Sequence, residues 1–131
     1  MDELDIKCVV SAVEAGGAVA VFEELVPQGS GPPRHTHREQ TEVFHVIEGR
    51  IRFEVSGETF EREGGSVALV PAGAVHAFRN VGESPALIRF ELIPAGKSEE
   101  AFERLTTETI TDIKSFFDEY GMDLAGPPLG D

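Results

Sequence analysis

Several features that are common in proteins are rare or missing in this sequence. Among its 131 residues there is one cysteine, Cys8, and there is no tryptophan. A single cysteine excludes an intrachain disulfide. Its neighbours Ile6, Val9 and Val10 predict a small buried apolar residue rather than a reactive thiol. No apolar run approaches a membrane span, and the acidic start, residues 1–5, lacks the pattern of a signal peptide. We therefore expect a soluble cytoplasmic protein.

Basic residues are also scarce. The chain has 11 Lys and Arg against 24 Asp and Glu, which gives a net charge of -13. Phosphate backbones and anionic lipids repel such a chain, and no basic cluster offsets the repulsion, so we expect neither nucleic acid nor membrane as a partner. The length suits one domain with its own hydrophobic core. We predict a single domain over residues 1–131, with a barrel core at about 6–93 and a C-terminal helix and tail at 98–131.

Short apolar runs separated by glycine, proline and polar turns extend from Ile6 to Phe90. This pattern is typical of the many short strands of a sandwich or barrel. Ser56-Gly57 is a good two-residue hairpin turn between two of these runs. The predicted strands are Ile6–Val13, Ala18–Val26, Glu42–Ile47, Ile51–Val55, Glu58–Arg62, Ser66–Val70, Val75–Asn80 and Ala86–Ile93.

The character of the chain changes after Pro94. Ser98 can cap a short helix, and Thr109 with Asp112 resembles a second capping pair. Gly121 is placed to end the second helix, and the tail beyond it, residues 125–130, is expected to be extended or loose. The residues at helical spacing in the second helix are Ile110, Ile113, Phe116, Phe117 and Tyr120.

Four side chains suggest a metal site. They are His35, His37, Glu42 and His76. Three imidazoles and one carboxylate match Fe, Mn, Ni, Cu or Zn better than Ca or Mg, so we predict one divalent transition metal per chain. An isolated H-x-H can instead be a polar surface pair, but here both parts of a longer pattern fit. The two parts are G-x5-H-x-H-x4-E-x6-G from Gly29 to Gly49 and G-x5-P-x-G-x2-H-x3-N from Gly65 to Asn80.

Strand geometry sets conditions on this site. His35 and His37 are two residues apart, so on an extended strand they point to the same face. Glu42 is an odd number of positions from both and can join them only if residues 38–41 form a bend or bulge. His76 must come from a separate strand, delivered by the turn at 71–73.

Other candidate residues have a structural interpretation. His45 faces away from Glu42 on the same strand, so a packed or partly exposed histidine is expected rather than a ligand. Four arginines could bind a carboxylate substrate, although a solvated outer face is the more common role. They are Arg50, Arg52, Arg79 and Arg89. Four phenylalanines are expected in the core, with Phe78 the best candidate for a pocket aromatic because it has the parity of His76. They are Phe44, Phe53, Phe78 and Phe90.

At these positions the chain resembles the cupin superfamily, from Ala18 to about Ile93. The resemblance implies an all-β double-stranded β-helix, or jelly roll, followed here by a short C-terminal helical segment. It also implies that His35, His37, Glu42 and His76 ligate a metal inside the barrel mouth. The implied turn or framework positions are Gly29, Gly49, Gly65, Pro71, Gly73 and Asn80.

The flanking segments resemble small bacterial quercetin-dioxygenase-like cupins. They are Gly16–Val21, Pro94–Gly96, Tyr120–Asp123 and Gly126–Pro128. This resemblance does not imply a substrate. The identity of the ligands leads us to expect a metal-dependent oxidoreductase of the dioxygenase type that acts on a small enol- or phenol-like molecule, with Glu42 as a candidate general base. The alternatives are a non-oxidative isomerase or decarboxylase and a non-catalytic domain that binds a small molecule. By the same analogy we expect a homodimer, with the N-terminal strand or the C-terminal helix packing across subunits.

Overall fold

The computed structural model describes residues 4–130. Residues 1–3 and 131, which include most of the acidic start, lie outside the described residues. The part of the chain that is described forms ten strands and two helices. They are β1 (Asp5–Val10), β2 (Ala20–Val26), β3 (Pro33–His37), β4 (Thr41–Glu48), β5 (Arg50–Val55), β6 (Glu58–Glu63), β7 (Ser66–Val70), β8 (His76–Asn80), β9 (Ala86–Ile93), α1 (Ser98–Thr107), α2 (Ile113–Glu119) and β10 (Met122–Pro128).

The strands form two antiparallel sheets of five strands each. One sheet has the order β1-β2-β9-β4-β7 and the other has the order β10-β3-β8-β5-β6. Alternate residues of β2, β4, β5, β7 and β9, together with Phe78 of β8, point into the space between the sheets, where they form a hydrophobic core. Phe44 from the first sheet lies 5.3 Å from Phe53 and 5.5 Å from Phe78 of the second, measured between ring centroids. The predicted all-β jelly roll with a short helical segment is confirmed.

Two glycine-containing segments show how the sequence sets the register. Ser56 and Gly57 have φ values of 51° and 83°, which is the conformation of a tight two-residue hairpin turn, and they join β5 to β6 as predicted. Gly31 precedes β3, and a Cβ atom there would lie 1.8 Å from the carbonyl oxygen of Phe78. Only glycine permits this approach, which holds the start of β3 against β8.

Strands β3 and β10 were not among the predicted strands. The sequence of β3 is polar, and its first residue, Pro33, takes the place where a strand tolerates proline. The tail forms β10 and pairs with β3 at the edge of the sheet, so Pro127 and Pro128 interrupt no central ladder. The tail was predicted to be extended or loose, and it is extended up to Pro128. Its pairing with β3 was not predicted, because that pairing comes from tertiary contact and not from local pattern.

Both predicted helix caps are wrong in detail. Lys97 is the N-cap of α1, and Ser98 is the first helical residue, whose hydroxyl donates a 2.6 Å hydrogen bond to the carbonyl oxygen of Ala95. Asp112 is itself the N-cap of α2 and accepts a hydrogen bond from the backbone N–H of Ser115. The second helix consequently begins later than the helical spacing predicts, and it ends before Gly121, whose φ is 74°.

The prediction for Cys8 is also wrong, because its side chain is exposed. It lies on β1, an edge strand of its sheet, and the exposed Val9 beside it shows that this strand has little cover. Apolar neighbours in sequence therefore do not ensure burial at a sheet edge. Among residues 4–130, neither helix is long and apolar enough to cross a membrane.

Candidate metal centre

The four residues singled out in the sequence lie together inside the barrel. Each offers one donor atom, and these atoms all lie within 4.8 Å of one another. All four side chains are buried, with exposed fractions of 8% or less. They are His35 and His37 on β3, Glu42 on β4 and His76 on β8.

The backbone between β3 and β4 brings Glu42 to the histidines. His35 and His37 point to one face of β3, as their spacing predicts. Residues 38 and 39 form a bend, and β4 begins at Thr41 in the opposite sheet. The predicted change of face between His37 and Glu42 is present.

His76 reaches the same point from another strand. It is the register partner of His35 on the antiparallel pair of β3 and β8. The turn that precedes it is tied to β3, because the backbone N–H of Gly73 donates a 2.7 Å hydrogen bond to the carbonyl oxygen of His37. This contact fixes the position of the turn relative to β3 and so places His76 beside His35.

Backbone carbonyls set the tautomers of two of the rings. Nδ1 of His35 lies 2.7 Å from the carbonyl oxygen of Pro33, and Nδ1 of His76 lies 3.0 Å from that of Ala74. A carbonyl oxygen can only accept, so each Nδ1 carries the proton. Each Nε2 is then left to direct a lone pair into the cluster, which is the arrangement that orients histidine ligands in metal proteins.

Glu42 is the negative centre of the cluster. Its Oε1 atom lies 3.1 Å from Nε2 of His76 and 3.3 Å from Nε2 of His37. Burial raises the pKa of Glu42, but the charge and hydrogen bonds of His37 and His76 outweigh burial and hold that pKa below its usual range. Burial lowers the pKa of His76, yet the hydrogen bond and charge of Glu42 leave it above its usual value.

The cluster fits a divalent cation. With Nδ1 protonated, a neutral His76 would direct the lone pair of Nε2 at a carboxylate oxygen, and this repulsion requires either a proton or a cation between the two atoms. Burial, followed by the nearby His76 and His37, lowers the pKa of His35 to about 3, so its Nε2 lone pair is available at neutral pH. Nδ1 of His37 is buried and has no hydrogen-bond partner among the described residues.

The spacing of the donors agrees with this chemistry. Two donors on opposite sides of one cation lie about 4.2 Å apart, since metal–nitrogen bonds are about 2.1 Å long. The largest separation in the cluster, 4.8 Å, exceeds that value only slightly. Three imidazole nitrogens and one carboxylate oxygen suit a borderline transition metal. The cluster could therefore hold such an ion.

A cavity of about 530 Å3 opens beside the cluster. His35, His37 and Glu42 form part of its wall. Most of the remaining lining is apolar, and much of it is aromatic. It includes Phe44, Phe78 and Phe90 from the strands and Phe102 and Phe117 from the helices. The prediction that Phe78 is a pocket aromatic is confirmed.

Two cavity residues were not anticipated as site residues. Phe117 on α2 lies 5.7 Å from His35 between ring centroids, so the second helix closes the cavity over the cluster. Glu24 on β2 has an exposed fraction of only 8% and also lines the cavity. Glu24 alternates with Ala20, Phe22 and Val26, so it lies on the inward face of β2. This alternation in the sequence could have predicted that Glu24 faces the interior.

The other candidate residues lie away from the cluster. His45 is on the outer face of β4, where its Nε2 lies 2.5 Å from Oε1 of Glu91. Arg50 and Arg52 pair with Glu61 across the neighbouring strand. Arg89 pairs with Glu23, and Arg79 donates a hydrogen bond to the carbonyl oxygen of Leu129. Phe53 is buried in the core, as predicted.

Known proteins share both the sequence pattern and the fold. The model of the cupin domain matches residues 21–92. The chain is 29% identical over 91 residues to the polyketide synthase CurC of Streptomyces cyaneus, which covers 69% of this chain and 59% of that protein. It is 49% identical over 49 residues to the oxidoreductase OpS7 of Beauveria bassiana, which covers 37% of this chain and 16% of that one. The matches thus span less than two thirds of either relative.

Solved structures agree with the fold. A double-stranded β-helix protein from Klebsiella pneumoniae superimposes with a TM-score of 0.62 at 20% sequence identity, covering 71% of this chain and 78% of that one. At this identity the likeness concerns the fold alone. The matching domain model spans more than half of the residues and includes all four members of the histidine and glutamate cluster. The chain belongs to the cupin family.

Proposed function

We propose that this protein is a metal-dependent oxidoreductase of the dioxygenase type that acts on a small enol- or phenol-like substrate. The observation that carries the proposal is the convergence of three imidazoles and one carboxylate in the wall of an apolar cavity. The names of two relatives support the class, since one is an oxidoreductase and the other a polyketide synthase. Polyketide chemistry produces phenols and enols, which are the substrates that such a cavity suits.

His35, His37, Glu42 and His76 would hold the metal. When bound there, a divalent transition metal supplies open coordination positions and lowers the pKa of a substrate hydroxyl group. The protein prepares the site in advance, because the backbone carbonyls of Pro33 and Ala74 already fix two of the rings. Rings held in one orientation favour a single arrangement of the donor atoms around the metal.

Glu42 has a second role in this proposal. Its low pKa keeps the carboxylate ionised at neutral pH, and it lies in the wall that a substrate would meet. A carboxylate in that position can accept the proton that a phenol or enol releases as it becomes an anion. With the metal bound, Glu42 would be kept ionised before that transfer by the positive charge of the ion, because His37 and His76 would then be neutral ligands.

The cavity supplies selectivity and dryness. Its volume of about 530 Å3 lies in the range of small-molecule sites. Phe44, Phe78 and Phe117 line the cavity, and an aromatic wall favours a flat aromatic substrate over a strongly hydrated one. The same apolar lining limits the entry of water, which protects reactive species formed in the site.

Anaerobic reconstitution tests the proposal. Purified protein is stripped with a chelator and loaded separately with Fe(II), Mn(II), Ni(II), Cu(II) or Zn(II). Oxygen uptake is then recorded with flavonols and β-diketones. We expect uptake with at least one redox-active metal and none with Zn(II). A Glu42→Gln variant should lose the uptake, whereas His45→Ala, on the outer face of the same strand, should retain it.

The failures of this experiment point to the two alternatives. Substrate conversion that persists with Zn(II) and without oxygen would replace the proposal by a non-oxidative isomerase or decarboxylase. Metal and flavonol binding without conversion under any condition would replace it by a small-molecule binding domain.

A further inference from the structure

A second acidic side chain faces the cavity at a distance in sequence from the metal cluster. Glu24 lies on the inward face of β2, between the buried residues Phe22 and Val26. Its exposed fraction is 8%, and it belongs to the cavity lining. Its donor oxygens are not part of the four-residue group that could hold a metal ion.

Glu24 has no partner within the described part of the chain. No hydrogen bond or ion pair joins its carboxyl group to any of residues 4–130, and the residue as a whole is only 8% exposed. Its cross-strand register partners are Ile6 on β1 and Ile88 on β9, which are both apolar. A buried polar group without a partner costs about 1–3 kcal/mol. Native proteins keep few such groups, and those that remain require an explanation.

The electrostatic surroundings of Glu24 favour its neutral form. Burial, followed by the negative charges of Glu42 and Asp5, raises the pKa of Glu24 to about 8. Burial is the largest of these causes, and it acts whether or not a metal neutralises the charge of Glu42. In the neutral form the carboxyl group can donate one hydrogen bond and accept others.

Resting on the proposed function, we propose that Glu24 is a substrate-recognition residue that hydrogen-bonds to a ring hydroxyl or carbonyl group. That group is a different one from the group that enters the histidine cluster. The remaining cavity wall near Glu24 is apolar, for example Ile6, Phe90 and Phe102. An unpaired carboxyl group in such a wall selects substrates that carry a matching polar group, because substrates without one leave it unsatisfied. Glu24 and the cluster together fix the orientation of an otherwise flat apolar molecule.

A hydroxyl or carbonyl group fits Glu24 better than an ammonium group does. Binding of an ammonium group requires the ionised carboxylate, and burial beside an apolar wall opposes that ionisation. A phenolic hydroxyl group can accept from or donate to the neutral acid at no such cost. The substrate class is therefore a polyhydroxylated or keto-substituted aromatic.

Two flavonols test the proposal with the zinc-loaded protein, in which the metal is redox-inert. The probes are 3-hydroxyflavone and quercetin, which share the hydroxy-ketone unit and differ in the hydroxyl groups on the rings. Dissociation constants are measured by fluorescence for both probes. We expect the wild type to prefer quercetin by about fivefold to tenfold, the range of one hydrogen bond.

Three variants separate recognition from structure. Glu24→Leu should lower the preference to about one while leaving the affinity for 3-hydroxyflavone within about threefold, since one hydrogen bond is lost. Glu24→Gln, which keeps the shape and a hydrogen-bonding group, should retain part of the preference. Glu23→Gln is the matched control, because Glu23 is the adjacent residue and pairs outward with Arg89. Circular dichroism and the metal content of each variant confirm that it is folded and loaded.

The proposal is overturned if Glu24→Leu keeps the preference for quercetin, if it weakens both probes equally, or if the wild type shows no preference. Equal weakening would mark Glu24 as a structural residue only. Absence of zinc-dependent binding of either probe to the wild type would instead refute the proposed function, and the role of Glu24 would fall with it. These two failures are therefore distinguishable in one set of titrations.

Discussion

His35 on β3 and His76 on β8 are register partners, and their ring centroids lie 4.3 Å apart. Two distant segments of the chain thus present imidazoles at the same level of one sheet. Glu42 reaches the same point from β4 in the other sheet, and the donor atoms of the whole cluster stay within 4.8 Å of one another. The donor set consequently exists only when both sheets are folded and packed, so metal binding should be linked to stability.

Replacement of one ligand tests this link. His76→Ala removes a donor that is 1% exposed and that no neighbouring residue replaces within the cluster. We expect the zinc affinity to fall by at least about 100-fold, because outer-shell changes alone cost 10–100-fold. The zinc-induced rise in melting temperature should disappear with it. Calorimetric titration and thermal denaturation with and without zinc measure the two effects.

His45→Ala is the matched control for that variant. His45 lies on the outer face of the strand that carries Glu42 and contacts Glu91. Its zinc affinity should equal that of the wild type. If zinc affinity falls by the same factor in His76→Ala and His45→Ala, zinc binding is adventitious and the cluster is not the metal site.

The pH dependence of stability should report the burial of Glu24. Its pKa is about 8 in the folded protein against 4.5 for the exposed side chain. Between these values the unfolded chain has released the proton while the folded chain still binds it, so the free energy of unfolding falls as pH rises. Below pH 4.5 the Glu24 carboxyl group is protonated in both states and does not lower the free energy of unfolding. Between pH 4.5 and about pH 8 that free energy should fall progressively, by roughly 3–5 kcal/mol in total.

Glu24→Gln isolates this contribution. Urea denaturation of wild type and variant in the presence of a chelator gives the difference in unfolding free energy at each pH. We expect the variant to gain on the wild type steadily from pH 5 to pH 8, since glutamine does not ionise. Parallel stability curves over that interval would show that the Glu24 carboxyl group is solvated in the folded protein.

The convergence of the histidine and glutamate cluster could be predicted from the sequence, because most of it depends on local spacing. Two histidines at i and i+2 share a face of any extended strand, and a polar bend before Glu42 resets that face. Short motifs with glycine and proline at fixed positions carry this geometry without knowledge of the rest of the fold. His76 needed one further step, the assumption that a second strand runs alongside the first, and the resemblance to a family supplied it.

The features that could not be predicted from the sequence depend on contacts between distant segments. The polar strand β3 and the proline-containing strand β10 have no alternating apolar pattern, and each is stabilised by pairing with the other. Cys8 has apolar neighbours but lies on an edge strand, which the sequence does not reveal. The helical spacing predicts only that Phe117 is a core residue of α2, and the packing of α2 on the barrel brings it close to His35. The expected homodimer and the cytoplasmic location stay predictions.

Arg38 should control how firmly α2 closes the cavity. It follows His37 directly, and its guanidinium contacts Asp118 on α2 and Asp123 on β10. It also donates a hydrogen bond to the carbonyl oxygen of Met122. We expect Arg38→Ala to leave the sheets intact while the amides of α2 exchange with deuterium about fivefold faster, because exposed ion pairs stabilise only locally.

Arg89→Ala is the comparison for that variant. Arg89 makes a similarly exposed ion pair with Glu23, but on the outer face of the sheet and away from α2. Exchange mass spectrometry of α2 peptides should show the wild-type rate in Arg89→Ala. Equal acceleration in the two variants would assign the effect to general destabilisation.

Asn80 should be the polar residue whose loss costs the most stability. It is 1% exposed, and its amide donates hydrogen bonds to the carbonyl oxygens of Val26 and Ser84. Its side-chain oxygen accepts a third hydrogen bond from the backbone N–H of Gly82. Asn80→Ala removes three hydrogen bonds to the backbone, one of them to the buried Val26, and leaves a cavity in the core, so we expect the free energy of unfolding to fall by about 2–4 kcal/mol.

Asn80→Asp distinguishes hydrogen bonding from packing at that position. Aspartate keeps the size and the acceptor but replaces both donors by a carboxylate oxygen facing two carbonyl oxygens. At neutral pH this variant should be at least as unstable as Asn80→Ala, because a buried charge is added to the lost donors. It should recover part of its stability as pH falls and the carboxyl group gains a proton that it can donate. Urea denaturation at pH 5 and pH 7.5 measures both effects, and a stability of Asn80→Asp close to that of the wild type at both pH values would mean that only packing matters there.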